Sequence, residues 1–301
     1  MTTPDYHIPV MLSECLDGLR LKPDGVYVDV TYGGGGHARK ILNQLSTGKL
    51  IAFDQDDDAV KNVQDHPNLI FVNHNFQFIK NFLKFYEIES VDGILADLGI
   101  SSHQIDEGSR GFSFRFDAPL DMRMNQQQKQ SAFDIINGYS AQSLSDIFKR
   151  YGELRFAWKL ANKIVAVREK SPIKTTGELA DLALEYTIPK QENRSLAQLF
   201  QAVRIEVNGE LNVLEDLLDS CTDVLHSGGR LVVMSYHSLE DRMVKSYMQT
   251  GNIQGDLQKD IYGKSLSPYK LITRKPITAT ESELERNTRS RSAKLRVAEK
   301  I

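Results

Sequence analysis

The chain has 301 residues, 41% of them hydrophobic and 26% charged, with a formal net charge of −3. That is enough for one large domain or two with a substantial core, and the balance excludes a globally basic nucleic-acid binder. No run of about 18 apolar residues occurs, so no transmembrane helix is expected, and Met1–Val10 lacks the charged-then-apolar pattern of a signal peptide.

Cys15 and Cys221 lie far apart in helical patterns, which suits buried, reduced thiols better than a disulfide or a metal site. Four short apolar runs, 26–30, 50–53, 69–72 and 91–95, predict strands, and a helical pattern around 38–45 separates the first two. Strands alternating with helices predict an α/β chain with a parallel sheet covered on both faces. The stretch to the next strand is far longer than a crossover needs. It opens with a Gly/Asp/Arg-rich segment, passes a polar loop at 126–130, and then turns helical. The helical part holds Phe156, Leu160, Ile164 and Val167 within 151–168, a capping box at Thr175 and Glu178, and Leu199, Phe200, Val203 and Ile205 within 196–207. This predicts a helical domain inserted into the sheet domain. An amphipathic helix through Leu211, Leu214, Leu218, Cys221 and Leu225 follows, then a turn at Gly228-Gly229 and a fifth strand at 230–234. From Gly255 to Ile301 the chain carries 11 Lys/Arg against 6 Asp/Glu. Such a tail on an acidic body can hold a polyanion, but on charge alone a solvated, partly flexible C-terminus is the better reading.

In an open α/β sheet the ligand sits beyond the carboxyl ends of the strands. The first strand ends at Asp29, before Thr31, Tyr32 and the glycine loop Gly33-Gly34-Gly35-Gly36-His37. The second ends at Asp54, and the fourth at Asp97, before Leu98-Gly99-Ile100-Ser101-Ser102. Gly33, Gly35 and Ala38 fit the dinucleotide pattern G-x-G-x-x-G/A, so the loop alone leaves a nicotinamide oxidoreductase open. The acids favour another ligand. Asp29 would repel a pyrophosphate, whereas S-adenosylmethionine carries a sulfonium, an amine and a ribose diol, and no phosphate. Asp56, Asp57 and Asp58 are consecutive and cannot all face one ion, so Asp57 or Asp58 reads as a charge at a helix start rather than a metal ligand. Ser235, His237 and Asp241 lack the G-x-S-x-G elbow of a hydrolase. Neither cysteine lies at a strand end, which disfavours a covalent intermediate.

Longer motifs carry a resemblance. They are His7-Ile8-Pro9-Val10-Met11-Leu12, Val28-Asp29-Val30-Thr31 with its glycine loop, Asp97-Leu98-Gly99-Ile100-Ser101-Ser102 and Arg110-Gly111-Phe112-Ser113-Phe114. Further along come Pro119-Leu120-Asp121-Met122-Arg123-Met124, Tyr151-Gly152-Glu153, Phe200-Gln201-Ala202-Val203-Arg204-Ile205, Val207-Asn208, Ser235-Tyr236-His237-Ser238-Leu239-Glu240-Asp241-Arg242 and Arg289-Ser290-Arg291-Ser292-Ala293-Lys294-Leu295-Arg296. In order and nearly end to end, the chain resembles the ribosomal RNA small subunit methyltransferase H family, also called MraW.

The resemblance implies a class I methyltransferase (Rossmann-like) fold with an inserted helical domain. On that reading residues 1–107 and 209–301 form the S-adenosylmethionine-binding domain, and 108–208 a substrate-recognition domain. It implies N4-methylation of a cytidine in the decoding centre of 16S rRNA, in the cytoplasm, within the small ribosomal subunit. It carries over Gly35, Gly36, His37, Asp54, Phe76, Asp97 and Gln104 as cofactor positions, to which the strand-end reading adds Asp29 and Gly33. Asp97, Ser101, Ser102 and His237 are the catalytic candidates, with His237 as a base or a structural histidine. No metal and no membrane are expected, and a homodimer stays open. The chain departs from the family at Asn193-Arg194-Ser195-Leu196-Ala197, where many members have His-Pro-Ala-Thr-Arg, and at Asn287-Thr288-Arg289, where many have Asn-Pro-Arg. Phe112, Phe114 and Phe116, interleaved with Arg110, Arg115 and Arg123, suggest base stacking and phosphate contact, or else one buried face. The target cytidine is expected in a cleft between sheet domain and insert, lined by Ser101, Ser102 and 235–238. The alternatives are a non-catalytic RNA-binding assembly factor and, behind it, an NAD-dependent oxidoreductase.

Overall fold

The computed structural model describes residues 9–301. His7 and Ile8 of the first motif, and the side chain of Ser102, lie outside the described residues. The chain divides into two compact units, one taking the chain through Gly99 and again Leu211–Ile301, the other Ile100–Glu210.

The first unit is built on a sheet of β1 (Val26–Asp29), β2 (Lys49–Asp54), β3 (Leu69–Asn73), β4 (Val91–Asp97), β5 (Leu225–Ser235), β6 (Tyr269–Leu271) and β7 (Lys294–Lys300), in the order β3-β2-β1-β4-β5-β7-β6. The first five strands are parallel, and β7 runs antiparallel to both β5 and β6. This is the sheet of a class I methyltransferase. The order reverses direction between β1 and β4, and a ligand crevice opens at such a switch point.

Alternate residues explain why the strands read as unbroken apolar runs. Val28, Ile51, Phe53, Ile94, Leu231 and Val233 enter one core layer, while Tyr27, Leu50, Ala52, Leu95, Val232 and Met234 enter the other. Both faces are therefore covered and neither needs polar positions. The helices α1 (Leu12–Leu19), α2 (Gly36–Leu42) and α3 (Asp57–Val60) contribute Cys15, Ala38, Ile41 and Ala59 to the second layer, and α4 (Ile79–Phe85) contributes Ile79 and Leu83 to the first.

The second unit is helical: α5 (Ser102–Asp106), α6 (Ala132–Gly138), α7 (Ala141–Arg150), α8 (Ala157–Arg168), α9 (Thr176–Leu184) and α10 (Glu192–Asn208). It has a core of its own, including Phe148, Leu160, Ile164, Leu179, Leu199 and Val203. The capping box opening α9 forms as its sequence predicts, Thr175 accepting the Glu178 N–H and Glu178 accepting the Thr175 N–H; such a cap contributes about 1 kcal/mol. The helix predicted from Tyr151 begins only at Ala157. Residues 151–154 instead close α7: the Tyr151, Glu153 and Leu154 N–H groups donate back to the Ile147, Lys149 and Phe148 carbonyls, and Glu153 takes a left-handed φ of +52°.

Returning to the first unit, α11 (Glu210–Val224) and α12 (Ser238–Thr250) cover the first core layer, and α13 (Glu281–Arg286) lies in the C-terminal region. Two expectations need correction here. Leu225 starts β5 rather than ending the helix: it pairs with Val91, Arg230 pairs with Gly93, and the extra residues on β5 around Gly228 and Gly229 form an irregularity in the ladder. The C-terminal region is also no solvated tail. Leu295 and Val297 are buried in β7, and Arg296 Nε and Lys294 Nζ donate to Asp241 at 2.7 and 3.1 Å. Part of the basic excess is thus neutralised within the fold. Among the described residues no helix is long and apolar enough to cross a membrane.

Candidate active site

The carboxyl ends of β1, β2 and β4 bring Asp29, Asp54 and Asp97 to one edge of the sheet. Thr31 joins two of them. Its hydroxyl accepts the Asp97 N–H at 2.8 Å and lies 3.3 Å from Asp29 Oδ1, to which it donates; its own N–H donates to the same oxygen at 3.0 Å. Asp29 is 1% exposed, and its other oxygen, Oδ2, is buried without a hydrogen-bond donor. Burial pushes the Asp29 carboxyl up to about 6, against the opposing pull of His37 and the Thr31 hydrogen bonds.

The glycine loop turns over these acids. Gly33 and Gly35 have φ of +51° and +70°, the left-handed region that a side chain enters only with strain. The Gly33 N–H donates to Asp54 Oδ2 at 2.7 Å and the Asp56 N–H to Asp54 Oδ1 at 2.9 Å. Asp54 therefore anchors the loop while its remaining lone pairs stay available for hydroxyl donors. Burial raises its carboxyl to about 6. Arg39, on α2, is turned to the Gly34 carbonyl at 2.8 Å.

His37 is buried on α2. Its Nε2 lies 3.1 Å from the Val10 carbonyl, which can only accept, so Nε2 carries the proton. Burial lowers the His37 pKa, leaving the ring neutral and Nδ1 an acceptor. That nitrogen lies 3.8 Å from Asp97 Oδ2. The other oxygen of Asp97 accepts the Tyr236 hydroxyl at 2.7 Å. Burial drives the Asp97 carboxyl up to about 7, the Tyr236 bond working against this and the charge of Glu240 adding to it. The edge of the sheet thus offers three acceptors, Asp29 Oδ2, Asp97 Oδ2 and His37 Nδ1, and brings no Lys or Arg to them among the described residues. A pyrophosphate would find repulsion here; a cationic amine or sulfonium would find partners.

Comparison with known proteins identifies the family. Residues 5–301 match the MraW methylase family. The chain belongs to that family. Its relatives include the ribosomal RNA small subunit methyltransferase H of Parabacteroides distasonis, 53% identical over 298 residues that cover 98% of each chain. The protein of the same name from Flavobacterium johnsoniae is 51% identical over 301 residues, 100% of this chain and 99% of its own.

The other MraW positions fall as follows. Gly36 packs on Pro9, where a Cβ would come within 2.7 Å of the ring. Phe76 begins a short 3-10 turn after β3 and is half-buried against the first core layer. Ser101, Ser102 and Gln104 belong to the second unit. Ser101 Oγ accepts the Gln104 N–H and Gln104 Oε1 accepts the Ser101 N–H, a capping box that opens α5. His237 is the N-cap of α12: its Nδ1 accepts the Glu240 N–H at 3.4 Å and its Nε2 lies 3.2 Å from Glu240 Oε1.

The aromatic segment of the second unit is largely structural. Phe112 is buried, and Phe114 packs edge-on against Phe200 at 5.5 Å. Arg110 is buried and donates to the Arg123 and Met124 carbonyls. Arg123 forks onto both oxygens of Asp121 at 2.8 and 2.6 Å. Arg115 and Phe116 are exposed. Sequence reasoning placed Tyr236 only as part of the 235–238 cleft lining, with no role for its hydroxyl on Asp97, and gave Thr31 no role in the site. A phenol directly after the fifth strand, beside β4 in the sheet, is the signal that would have found the first.

Proposed function

We propose that the chain is a cytoplasmic enzyme that transfers a methyl group from S-adenosylmethionine to 16S rRNA of the small ribosomal subunit, at N4 of a cytidine in its decoding centre. The observation that carries the reading is the acceptor-only strand edge of Asp29, Asp97 and His37 in a chain that matches the MraW family over residues 5–301. Bound there, the cofactor supplies an electrophilic methyl on a cationic sulfur. Asp97 Oδ2 and His37 Nδ1 are close enough for one ammonium to donate to both, and Asp29 adds buried negative charge behind them. Asp54 takes ribose hydroxyls with the lone pairs left by Gly33 and Asp56, Gly33 and Gly35 let the backbone come close, and Phe76 offers a ring at the end of β3. The helical unit, about residues 108–208 by sequence, is the substrate-recognition part. A cytosine amine is a weak nucleophile whose lone pair is delocalised into the ring, so orientation and a nearby acceptor supply most of the help it needs. The Nδ1 of His237 is taken by the α12 cap, which supports a structural histidine over a base.

The test is transfer of a radiolabelled methyl group to small subunits and to free 16S RNA from a strain lacking the activity, beside calorimetric titrations with S-adenosylmethionine and NAD. Labelling of one cytidine N4, with no transfer by Asp97→Asn, is expected. Donor affinity without transfer would make the chain an assembly factor, and NAD affinity in place of donor affinity would overturn the site.

A further inference from the structure

Between α12 and β6 the chain leaves the sheet and folds a small hairpin. The Leu266 N–H donates to the Gln258 carbonyl at 2.9 Å, the Asp260 N–H to Lys264 at 2.9 Å, and the Gly263 N–H to Asp260 at 3.0 Å, with Lys259 and Ser265 paired antiparallel. Gly263, at φ +81°, supplies the left-handed residue that closes such a turn. Asp260 Oδ1 accepts the Tyr262 and Lys264 N–H groups, both at 2.9 Å. The turn is therefore satisfied from within, and its conformation needs no outside partner.

What this turn displays has no role in folding. Ile261 is 91% exposed and Tyr262 88% exposed, side by side at the tip, and Tyr262 makes no ring contact among the described residues. Leu257 and Leu266 at the base are about half exposed. Five exposed cations, Lys259, Lys264, Lys270, Arg274 and Lys275, run from the hairpin to just past the next strand, against two acids, Asp256 before the base and Asp260, whose carboxylate holds the turn. The chain as a whole is acidic. A stackable ring and an aliphatic wedge on a locally cationic arm suit unpaired nucleotides, with bases against the ring and phosphates against the lysines. They suit a protein surface less well, since a stable protein contact needs a broader apolar patch with few charges at its centre.

We propose that the hairpin at 258–266 is a docking finger for an unpaired stretch of RNA, gripping it away from the methyl-donor pocket. The inference rests on the reading of the chain as an rRNA methyltransferase and adds where that RNA is held. The test is filter binding of the full chain to small subunits and to naked 16S RNA, with S-adenosylhomocysteine titrated separately. The double change Ile261→Ser with Tyr262→Ser is expected to weaken binding to both RNAs about tenfold, the size of one lost base stack. Tyr262→Phe keeps the stack and stays near wild type. Donor-site affinity and melting temperature stay unchanged in both, because the tip is solvent-exposed. Unaltered RNA affinity in the double variant overturns the proposal. So does a loss seen on whole subunits but not on naked RNA, which would assign the tip to a ribosomal protein, or a dimer that the change dissociates, which would assign it to a second copy. Binding is read without transfer, so a wild-type chain that binds RNA through the tip yet never methylates removes the enzymatic reading and leaves the finger.

Discussion

Tyr236→Phe isolates one hydrogen bond in the proposed donor pocket. The phenol donates to Asp97 Oδ1 at 2.7 Å and so favours the ionised carboxylate, against the burial that holds its pKa near 7. Phenylalanine keeps the ring, which packs where a Gly99 Cβ would lie 3.5 Å away, so the pocket wall remains. A hydrogen bond to a charged group contributes about 1.5–3 kcal/mol, and one pKa unit is about 1.4 kcal/mol. Its loss should lift the Asp97 pKa further above its present value. A cationic ligand needs the ionised form, which is populated only above the pKa. Donor affinity in the wild type is therefore expected to rise with pH through about 7, and in the variant to rise only at higher pH. Calorimetric titration with S-adenosylhomocysteine, whose amine is retained, reads this at constant ionic strength, and Asp97→Asn serves as the control without the titration. An unmoved midpoint, or the same fractional loss at every pH, refutes the assignment of Tyr236 as the group that tunes Asp97.

Asp29→Asn should make the ligand-free chain melt higher above about pH 6 and bind the donor at least about tenfold more weakly. The sign follows from the raised pKa: the folded chain holds the Asp29 proton more tightly than the unfolded one, so its stability is greatest at low pH and falls as pH rises from about 4 through about 6. A ligand-free melting temperature that is lower in the variant at pH 8 would contradict this. His237→Asn preserves a side chain that caps helices well, and is expected to keep transfer within a few-fold, whereas His237→Ala loses about 1 kcal/mol of stability in denaturant titration. A folded His237→Asn chain that has lost most of its transfer rate would restore histidine as the base.

The parts of the fold that could be read in advance are those where one force dominates. β1, β2 and β4 lie inside the sheet and are covered on both faces, so burial wrote their apolar runs, while β3 at the edge is only partly buried. The region after Gly255 was misjudged because two demands overlap in it. Leu295 and Val297 follow the strand period, but Lys294, Arg296 and Lys300 alternate with them, and only the fold reveals that Asp241 pairs with two of these cations. The glycine loop and the three acids were legible because chemistry at strand ends follows from topology. Phe112, Phe114, Arg110 and Arg123 were not, since an Arg that binds carbonyls inside the protein has the same sequence signature as one that binds phosphates outside it. Tyr236 was hidden for a related reason: its importance lies in a partner 139 positions away.

The strand edge carries its own electrostatic logic. Three carboxyls with raised pKa values mean that the ligand-free chain pays to keep negative charge there, and the local alternatives that would relieve it are turned elsewhere. Arg39 faces a carbonyl, and His37 gives its only proton to Val10. Among the described residues no cation relieves it, so near neutral pH relief comes from proton uptake or from a ligand that brings positive charge. An anionic dinucleotide would raise the cost that a cationic donor removes, so the same arrangement that makes the pocket receptive to one cofactor excludes the other. That discrimination arises from charge sign at three backbone termini, not from the glycine spacing, which both cofactor classes share.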